Sequence, residues 1–289
     1  MEKRTNSEDG TELTMHCWKA ESEQAMVLIL HGLGEYGRKY IALAKCLNGY
    51  GLSVVALDWR GFGKSGGLKG YAPSMDRLYQ DLNAGIRAAR KMADTTTPLY
   101  LMGHSMGGNI LLGAAHAGLV QAEGIIVSSP WIRKTSKARS QARLVAILHR
   151  LVPRFRMKLD IRRIEKGRKP EIEKRKNDPY NHKLISLRLM HLLQSNARNL
   201  DMVQGRLGLP LLALHDRLDS LTDYQGTAEY VERGGGTLIS YNTGEHTLHR
   251  GESKEDFCLQ IRRWILERTQ YDETTQKNNS TKNDASCVE

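Results

Sequence analysis

The sequence has no apolar run approaching the roughly 18 residues that a membrane span needs, its longest being short stretches such as residues 25–30. No transmembrane segment is expected. Residues 1–10 are polar and charged, without the apolar stretch or small-residue cleavage site of a secretory signal. No export signal is therefore expected, and a cytoplasmic location is. The four cysteines, Cys17, Cys46, Cys258 and Cys287, are scattered and share no zinc-type spacing with histidines, which predicts reduced thiols and no metal site. Aromatic residues make up only 6% of the chain and no recognition motif accompanies the basic residues, so no nucleic-acid partner is expected. No internal repeat is present. Low proline content, with 7 in 289 residues, and 40% hydrophobic residues exclude a fibrous or wholly disordered chain.

What is present is a series of short apolar, β-branched-rich runs at 26–30, 53–57, 99–102, 125–128, 209–214 and 237–241, which predict buried strands. Helical patterns at 40–47, 76–92, 110–117 and 254–267 alternate with them. The first ends at Asn48-Gly49-Tyr50-Gly51 and the third at Gly118, both helix stops. Near-continuous apolar strands separated by helices predict an α/β fold with a mostly parallel central sheet covered on both faces.

Two strands are separated by about 80 residues, against roughly 2–6 for an ordinary α/β connection. The intervening stretch predicts an inserted cap. Apolar residues at 144, 145, 147, 148, 151 and 152, and at 189, 190, 192 and 193, keep helical spacing, with Pro153 ending the first helix. The expected organisation is a core at 1–130 and 206–268, a helical cap at 131–205, and a disordered polar tail at 269–289. Residues 131–176 hold 17 Lys+Arg against 4 Asp+Glu, a local +13 that exceeds the +11 of the whole chain and leaves the remainder at −2. The basicity thus belongs to the cap. It gives the cap a solvated face or a peripheral contact with anionic lipid, to which each basic residue near the surface contributes about 1 kcal/mol.

The chemistry centres on Gly103-His104-Ser105-Met106-Gly107, a G-x-S-x-G between a predicted strand and a predicted helix. That setting is the one in which a nucleophilic serine is pushed out on a tight turn at the carboxyl edge of a sheet. A serine hydroxyl is a weak nucleophile, so a histidine must take its proton and a carboxylate must orient the histidine, here in the chain order Ser, acid, His. The loop after 209–214 offers Asp216, Asp219 and Asp223. The loop after 237–241 offers His246 and His249. Spacing brings both loops to the sheet edge of Ser105 but does not choose among neighbours. Backbone N–H groups of Leu33 and Met106 are the expected oxyanion donors, one from the loop after an early strand and one from the residue after the nucleophile. His31, Glu35, Arg38, Asp58 and Arg60 are expected to make structural loop hydrogen bonds, and His104 to pack beside the serine rather than act as base. The glycines of Gly61-Phe62-Gly63-Lys64-Ser65-Gly66 lack Walker spacing, so no nucleotide is assigned.

Two further stretches narrow the choice. His31-Gly32-Leu33-Gly34-Glu35-Tyr36-Gly37-Arg38-Lys39-Tyr40 resembles an HGxGEHxxRY loop, and Asp58-Trp59-Arg60-Gly61-Phe62-Gly63-Lys64-Ser65-Gly66 resembles a DxRGxGxSxG segment. Together with the serine motif, they make the chain resemble the monoacylglycerol lipase and lysophospholipase-like branch of α/β-hydrolases, which includes proteins labelled serine aminopeptidases. The resemblance covers roughly residues 13–266 and is weak inside the cap. It implies Asp219 as the acid and His246 as the base, with His-Thr-Leu-His at 246–249 matching a His-x-x-His pattern. One departure is Asp216, where the family usually has glycine; a carboxylate there could compete for the histidine. His249, Asp216 and Asp223 are expected to be solvated loop residues.

The resemblance implies a serine hydrolase, without cofactor, that cleaves carboxylic esters of acyl lipids through an acyl-enzyme. A serine aminopeptidase is the alternative within the fold, although it needs an acidic group for the substrate amine and a basic cap opposes it. An alternative of another class is a non-catalytic protein that holds anionic lipid on the cap. That role alone does not require an intact serine turn, acid and histidine.

Overall fold

The computed structural model describes residues 1–133, 142–158, 178–182 and 184–284. Eight strands form one sheet: β1 (Glu2–Asn6), β2 (Glu12–Trp18), β3 (Ala25–Leu30), β4 (Leu52–Leu57), β5 (Leu99–His104), β6 (Gly124–Ser128), β9 (Leu211–Asp216) and β10 (Thr237–Tyr241), in the order β1-β2-β4-β3-β5-β6-β9-β10. The pairs β1/β2 and β2/β4 are antiparallel, and the others are parallel. Every residue of β3, β4, β5, β6 and β9 is buried, the mark of strands covered on both faces.

Alternation along a strand divides the interior in two. Met26, Leu28 and Leu30 of β3 join one apolar cluster, and Ala25, Val27 and Ile29 join the other. Helix α1 (Ile41–Asn48) and helix α7 (Lys254–Asp284) cover the second face through Leu43, Leu47, Phe257, Ile261 and Ile265. On the opposite face, α2 (Met75–Arg90) and α3 (Met106–His116) pack through Leu78, Leu82, Ile110 and Leu112. Each fully buried Leu or Ile contributes about 1.5–3 kcal/mol relative to exposure, so both faces are needed to hold the sheet. Helix α2 starts at Ser74, whose hydroxyl accepts the Arg77 N–H, and carries Asp76 in its first turn, where the helix dipole favours a negative charge.

Between β6 and β9 the described residues form α4 (Ala142–Leu151), a small antiparallel pair β7 (Arg156–Lys158) and β8 (Leu184–Ser186), and α5 (Leu187–Met202). Helix α4 stops just before Pro153, since proline has no N–H and its ring clashes with the preceding turn. Ser186 caps α5 by accepting the Leu189 N–H. The basic positions at 134–141 and 159–177 lie outside the described residues. Helix α6 (Tyr224–Gly234) follows β9.

The structure corrects two expectations. Cys46 of α1 and Cys258 of α7 form a disulfide, with Cα atoms 6.5 Å apart and 212 residues between them, where reduced thiols were expected; the folded chain brings together cysteines that are remote in sequence. The second concerns the tail, because α7 continues to Asp284 rather than stopping near 268. Residues 254–284 contain neither glycine nor proline, so nothing in the polar stretch breaks the helix.

Closing so long a loop restricts the unfolded chain, and disulfides of this kind typically contribute about 2–4 kcal/mol. Denaturant unfolding of the double variant Cys46→Ser/Cys258→Ser should show a loss of that size, and wild-type protein in excess dithiothreitol should match it. Equal stability of oxidised wild type and the double variant would show that the bond adds nothing.

Candidate active site

Ser105 sits between the last residue of β5 and the first of α3 with φ 51° and ψ −110°, a backbone state that costs a non-glycine residue about 1–3 kcal/mol. The surrounding chain enforces it. Its N–H donates to the Ser128 carbonyl at 3.0 Å, and its own carbonyl accepts from Asn109 at 3.0 Å and Trp131 at 3.1 Å. The turn also presses on β3, because a Cβ at Gly107 would lie 2.1 Å from the Leu30 carbonyl oxygen. Only glycine fits there. The Ser105 hydroxyl does not cap α3, so it is left for other chemistry.

Asp219 lies in the loop after β9 and is 8% exposed. Its Oδ1 accepts backbone N–H bonds from Leu221 at 2.8 Å and Thr222 at 3.2 Å. Oδ2 accepts from His246 Nδ1 at 2.7 Å, the Thr222 hydroxyl at 2.8 Å and His215 Nε2 at 3.2 Å. Burial alone would push the Asp219 carboxyl up, but the adjacent His246 and the hydrogen bonds from His215 and His246 carry it below its ordinary value. The carboxylate is therefore ionised and oriented. Because His246 uses Nδ1 for this bond, Nε2 remains for proton exchange.

Of the three predicted triad members, the structure joins Asp219 and His246 directly. Among the described residues no hydrogen bond links the Ser105 hydroxyl to His246. His104, the residue before Ser105, has its ring centroid 5.0 Å from that of His246. His104 Nδ1 is anchored on the Ser128 carbonyl at 3.1 Å, and burial pushes this histidine down to about 3. An uncharged ring held on backbone suits packing, not proton transfer. A Cβ added to Gly32 would stand 3.4 Å from the Ser105 Cβ, so the loop carrying Leu33 lies against the serine. Met106 opens α3, where backbone N–H groups have no intrahelical acceptor.

Asp216 does not compete for His246 in any of its hydrogen bonds. Its Oδ2 accepts from the Thr243 N–H and hydroxyl, both at 2.7 Å, and from the Gly244 N–H at 3.0 Å, while Oδ1 accepts the Leu218 N–H at 2.7 Å. It ties the acid loop to the histidine loop. Asp223 caps α6 by accepting the Gln225 N–H. Asp216 and His249 are 0% and 2% exposed, against expected solvated positions, and His249 stacks on Tyr40 at 4.5 Å.

Glu35 makes the loop hydrogen bonds expected of it, with partners that carry no mark in the sequence. Glu35 Oε2 accepts from the Gly32 N–H at 3.2 Å and the Tyr40 hydroxyl at 2.7 Å, and its other oxygen pairs with Arg250 at 2.9 Å. Burial would push Glu35 up, yet Arg250 and the neighbouring His104 and His249 hold it well below the usual carboxylate range. Arg250 stands four residues beyond His246, so this pair fastens the histidine loop to the loop of Leu33. Thr222 and His215 likewise became visible only in three dimensions, because both donors depend on how the loop after β9 folds back. Among the described residues, no cluster of three or more His, Cys, Asp or Glu side chains could hold a metal ion.

A sequence profile described as serine aminopeptidase, S33, matches residues 21–254. An uncharacterized abhydrolase domain-containing protein of Dictyostelium discoideum is 28% identical over 272 residues, which is 90% of this chain but 28% of that protein's length. A monoglyceride lipase of Rattus norvegicus is 26% identical over 269 residues, covering 90% of this chain and 88% of the other. Among solved structures, a monoacylglycerol lipase of Paleococcus ferrophilus is 27% identical with a TM-score of 0.77, covering 89% of this chain and 99% of that one.

The two aspartates make a matched pair for experiment. Asp219→Asn should lower ester turnover by about 10⁴-fold, because it removes the charge that orients and stabilises the histidine. Asp216→Asn should keep turnover within about tenfold while lowering unfolding free energy by about 1–3 kcal/mol. The opposite ranking in p-nitrophenyl ester assays would exchange their roles.

Proposed function

Because the chain belongs to the serine aminopeptidase, S33, family of α/β-hydrolases, we propose that it hydrolyses carboxylic esters of acyl lipids, of the monoacylglycerol or lysophospholipid type, through an acyl-enzyme on Ser105. The observation that carries this reading is the 2.7 Å bond from His246 Nδ1 to a buried, ionised Asp219, at the sheet edge where Ser105 stands on its strained turn. His246 Nε2 takes the Ser105 proton as Oγ attacks the ester carbonyl. The N–H groups of Leu33 and Met106 receive the developing oxyanion. Collapse of the tetrahedral intermediate breaks the ester C–O bond, and His246 returns the proton to the departing alcohol. Water then repeats the sequence on the acyl-Ser105 ester, releasing the fatty acid. No cofactor enters any step. The names of the Rattus norvegicus and Paleococcus ferrophilus relatives support an acylglycerol substrate.

The decisive comparison uses a fluorophosphonate label and a panel of monoacylglycerols, lysophospholipids and aminoacyl amides, with wild type and Ser105→Ala. Wild type should take up the label at Ser105 and prefer the esters. Ser105→Ala should lose turnover by about 10⁴-fold or more while keeping its melting temperature. Preference for aminoacyl amides would make it an aminopeptidase, and retained turnover in the variant would remove Ser105 from the mechanism.

The cap supports a peripheral contact with membrane. No described helix is long and apolar enough to cross a bilayer. Ile147, Leu151, Val152 and Phe155, on α4 and just beyond it, are 63%, 74%, 47% and 59% exposed, and the exposed bases Arg150, Arg154, Arg156 and Lys158 stand among them. Apolar side chains that enter the acyl boundary beside bases that meet anionic headgroups describe an interfacial helix. Co-sedimentation with phosphatidylserine-containing vesicles should exceed that with pure phosphatidylcholine and fall with salt. Leu151→Ser/Phe155→Ser should weaken it about tenfold or more at unchanged turnover of a soluble ester; equal sedimentation of both proteins would exclude this face.

A further inference from the structure

The Asp219 oxygen that meets His246 also meets a second imidazole. His215, the penultimate residue of β9, is fully buried and paired in register with Ser240 of β10. Its Nε2 lies 3.2 Å from Asp219 Oδ2, and its Nδ1 lies 2.8 Å from the hydroxyl of Thr227 on α6, itself fully buried. An ionised carboxylate can only accept, so the proton resides on His215 Nε2. With the proton there, the Thr227 hydroxyl can donate to Nδ1 and orient the ring. Tyr224 of α6 sets its ring against the same imidazole, 5.8 Å away and nearly perpendicular.

We propose that His215 is a positioning residue for the reaction, sharing Asp219 Oδ2 with His246 and thereby tempering the carboxylate's pull on the catalytic imidazole. The inference rests on the triad proposed above. The two imidazoles and the Thr222 hydroxyl divide the negative charge of one oxygen, so each donor is held less strongly than it would be alone. A carboxylate facing His246 undiluted would stabilise the imidazolium, and His246 would then lose its proton, and become a base, only at higher pH. His215 therefore keeps the base form available at lower pH. It also holds Oδ2 while the loop amides of Leu221 and Thr222 hold Oδ1. Other titratable groups facing His246 or its neighbours are His104 at the end of β5, Glu35 on the loop after β3, and His249 and Arg250 beyond β10. All of them are retained in the variants below.

The test is the pH profile of kcat/KM on a soluble ester, with fluorophosphonate labelling of Ser105 run in parallel. His215→Phe, which fills the space but cannot donate, should move the acid limb up by about half a pH unit or more. Thr227→Val leaves the imidazole but removes the hydroxyl that orients it, and should move the limb the same way by less. His215→Gln, whose amide can donate to Asp219 and accept from Thr227, should restore the wild-type limb. If His215→Phe does not fold, Thr227→Val and His215→Gln carry the comparison. An acid limb that stays in place or moves down in the donor-lacking variants, with Ser105 still labelled in wild type, overturns the role of His215 alone. Wild type that takes up no label at Ser105 overturns the triad, and this proposal with it.

Discussion

A carboxylate buried to the extent of Asp219 is tolerated only where donors replace the water it has lost, since an unpaired buried charge costs several kcal/mol. Two of its donors are loop amides, one is a neighbouring hydroxyl, and two are imidazoles. They come from β9, from the loop after it and from the loop after β10, so the carboxylate gathers its surroundings as much as it is held by them. The parallel sheet makes this gathering possible. His104 aligns with Ser128, Ser128 with Leu214, and Asp216 with Tyr241, so β5, β6, β9 and β10 release their loops along one edge.

The same logic governs the other side of the site. Glu35 is a second largely buried carboxylate, and its partners are the Gly32 amide, the Tyr40 hydroxyl and Arg250. Because Arg250 belongs to the histidine loop and Gly32 to the loop of Leu33, the ion pair couples the proposed proton acceptor to the proposed oxyanion site. Asp216 adds a third tie, from the acid loop to Thr243 and Gly244. Preorganised dipoles are effective only if they do not move as charge develops, and three carboxylates cross-linking the loops supply that rigidity.

The features legible in the sequence were those set by local chemistry. Runs such as Ala25-Met26-Val27-Leu28-Ile29-Leu30 announce a strand buried on both faces, and the glycines around Ser105 announce a turn too tight for side chains. What escaped was set by partners distant in the chain. Strand β1, at the sheet edge, carries exposed polar residues, and β2 interrupts its apolar residues with buried Thr14 and His16, so neither has the apolar run that marked the interior strands. The β7/β8 pair is only three residues long on each side, below any periodic signal. Cys46 and Cys258 become neighbours only when α1 and α7 lie on the same face of the sheet. Asp216 is the instructive case: by residue type it rivals Asp219, and only the direction of its hydrogen bonds separates an acid that orients a histidine from one that fastens a loop.

Helix α4, in the stretch between β6 and β9, differs from the core. In the core, apolar side chains are hidden on both faces of the sheet, whereas α4 buries Val145 and leaves Ile147 and Leu151 open to solvent. A surface helix that only packs on a core turns its apolar stripe inward, so apolar side chains on its outer face need another environment. On the proposed reading that environment is the lipid in which an acylglycerol or lysophospholipid resides, and the neighbouring arginines supply attraction toward its anionic headgroups. The core then performs the chemistry and the cap meets the substrate's surroundings, a division consistent with a strongly basic cap on a chain whose remaining residues are nearly neutral.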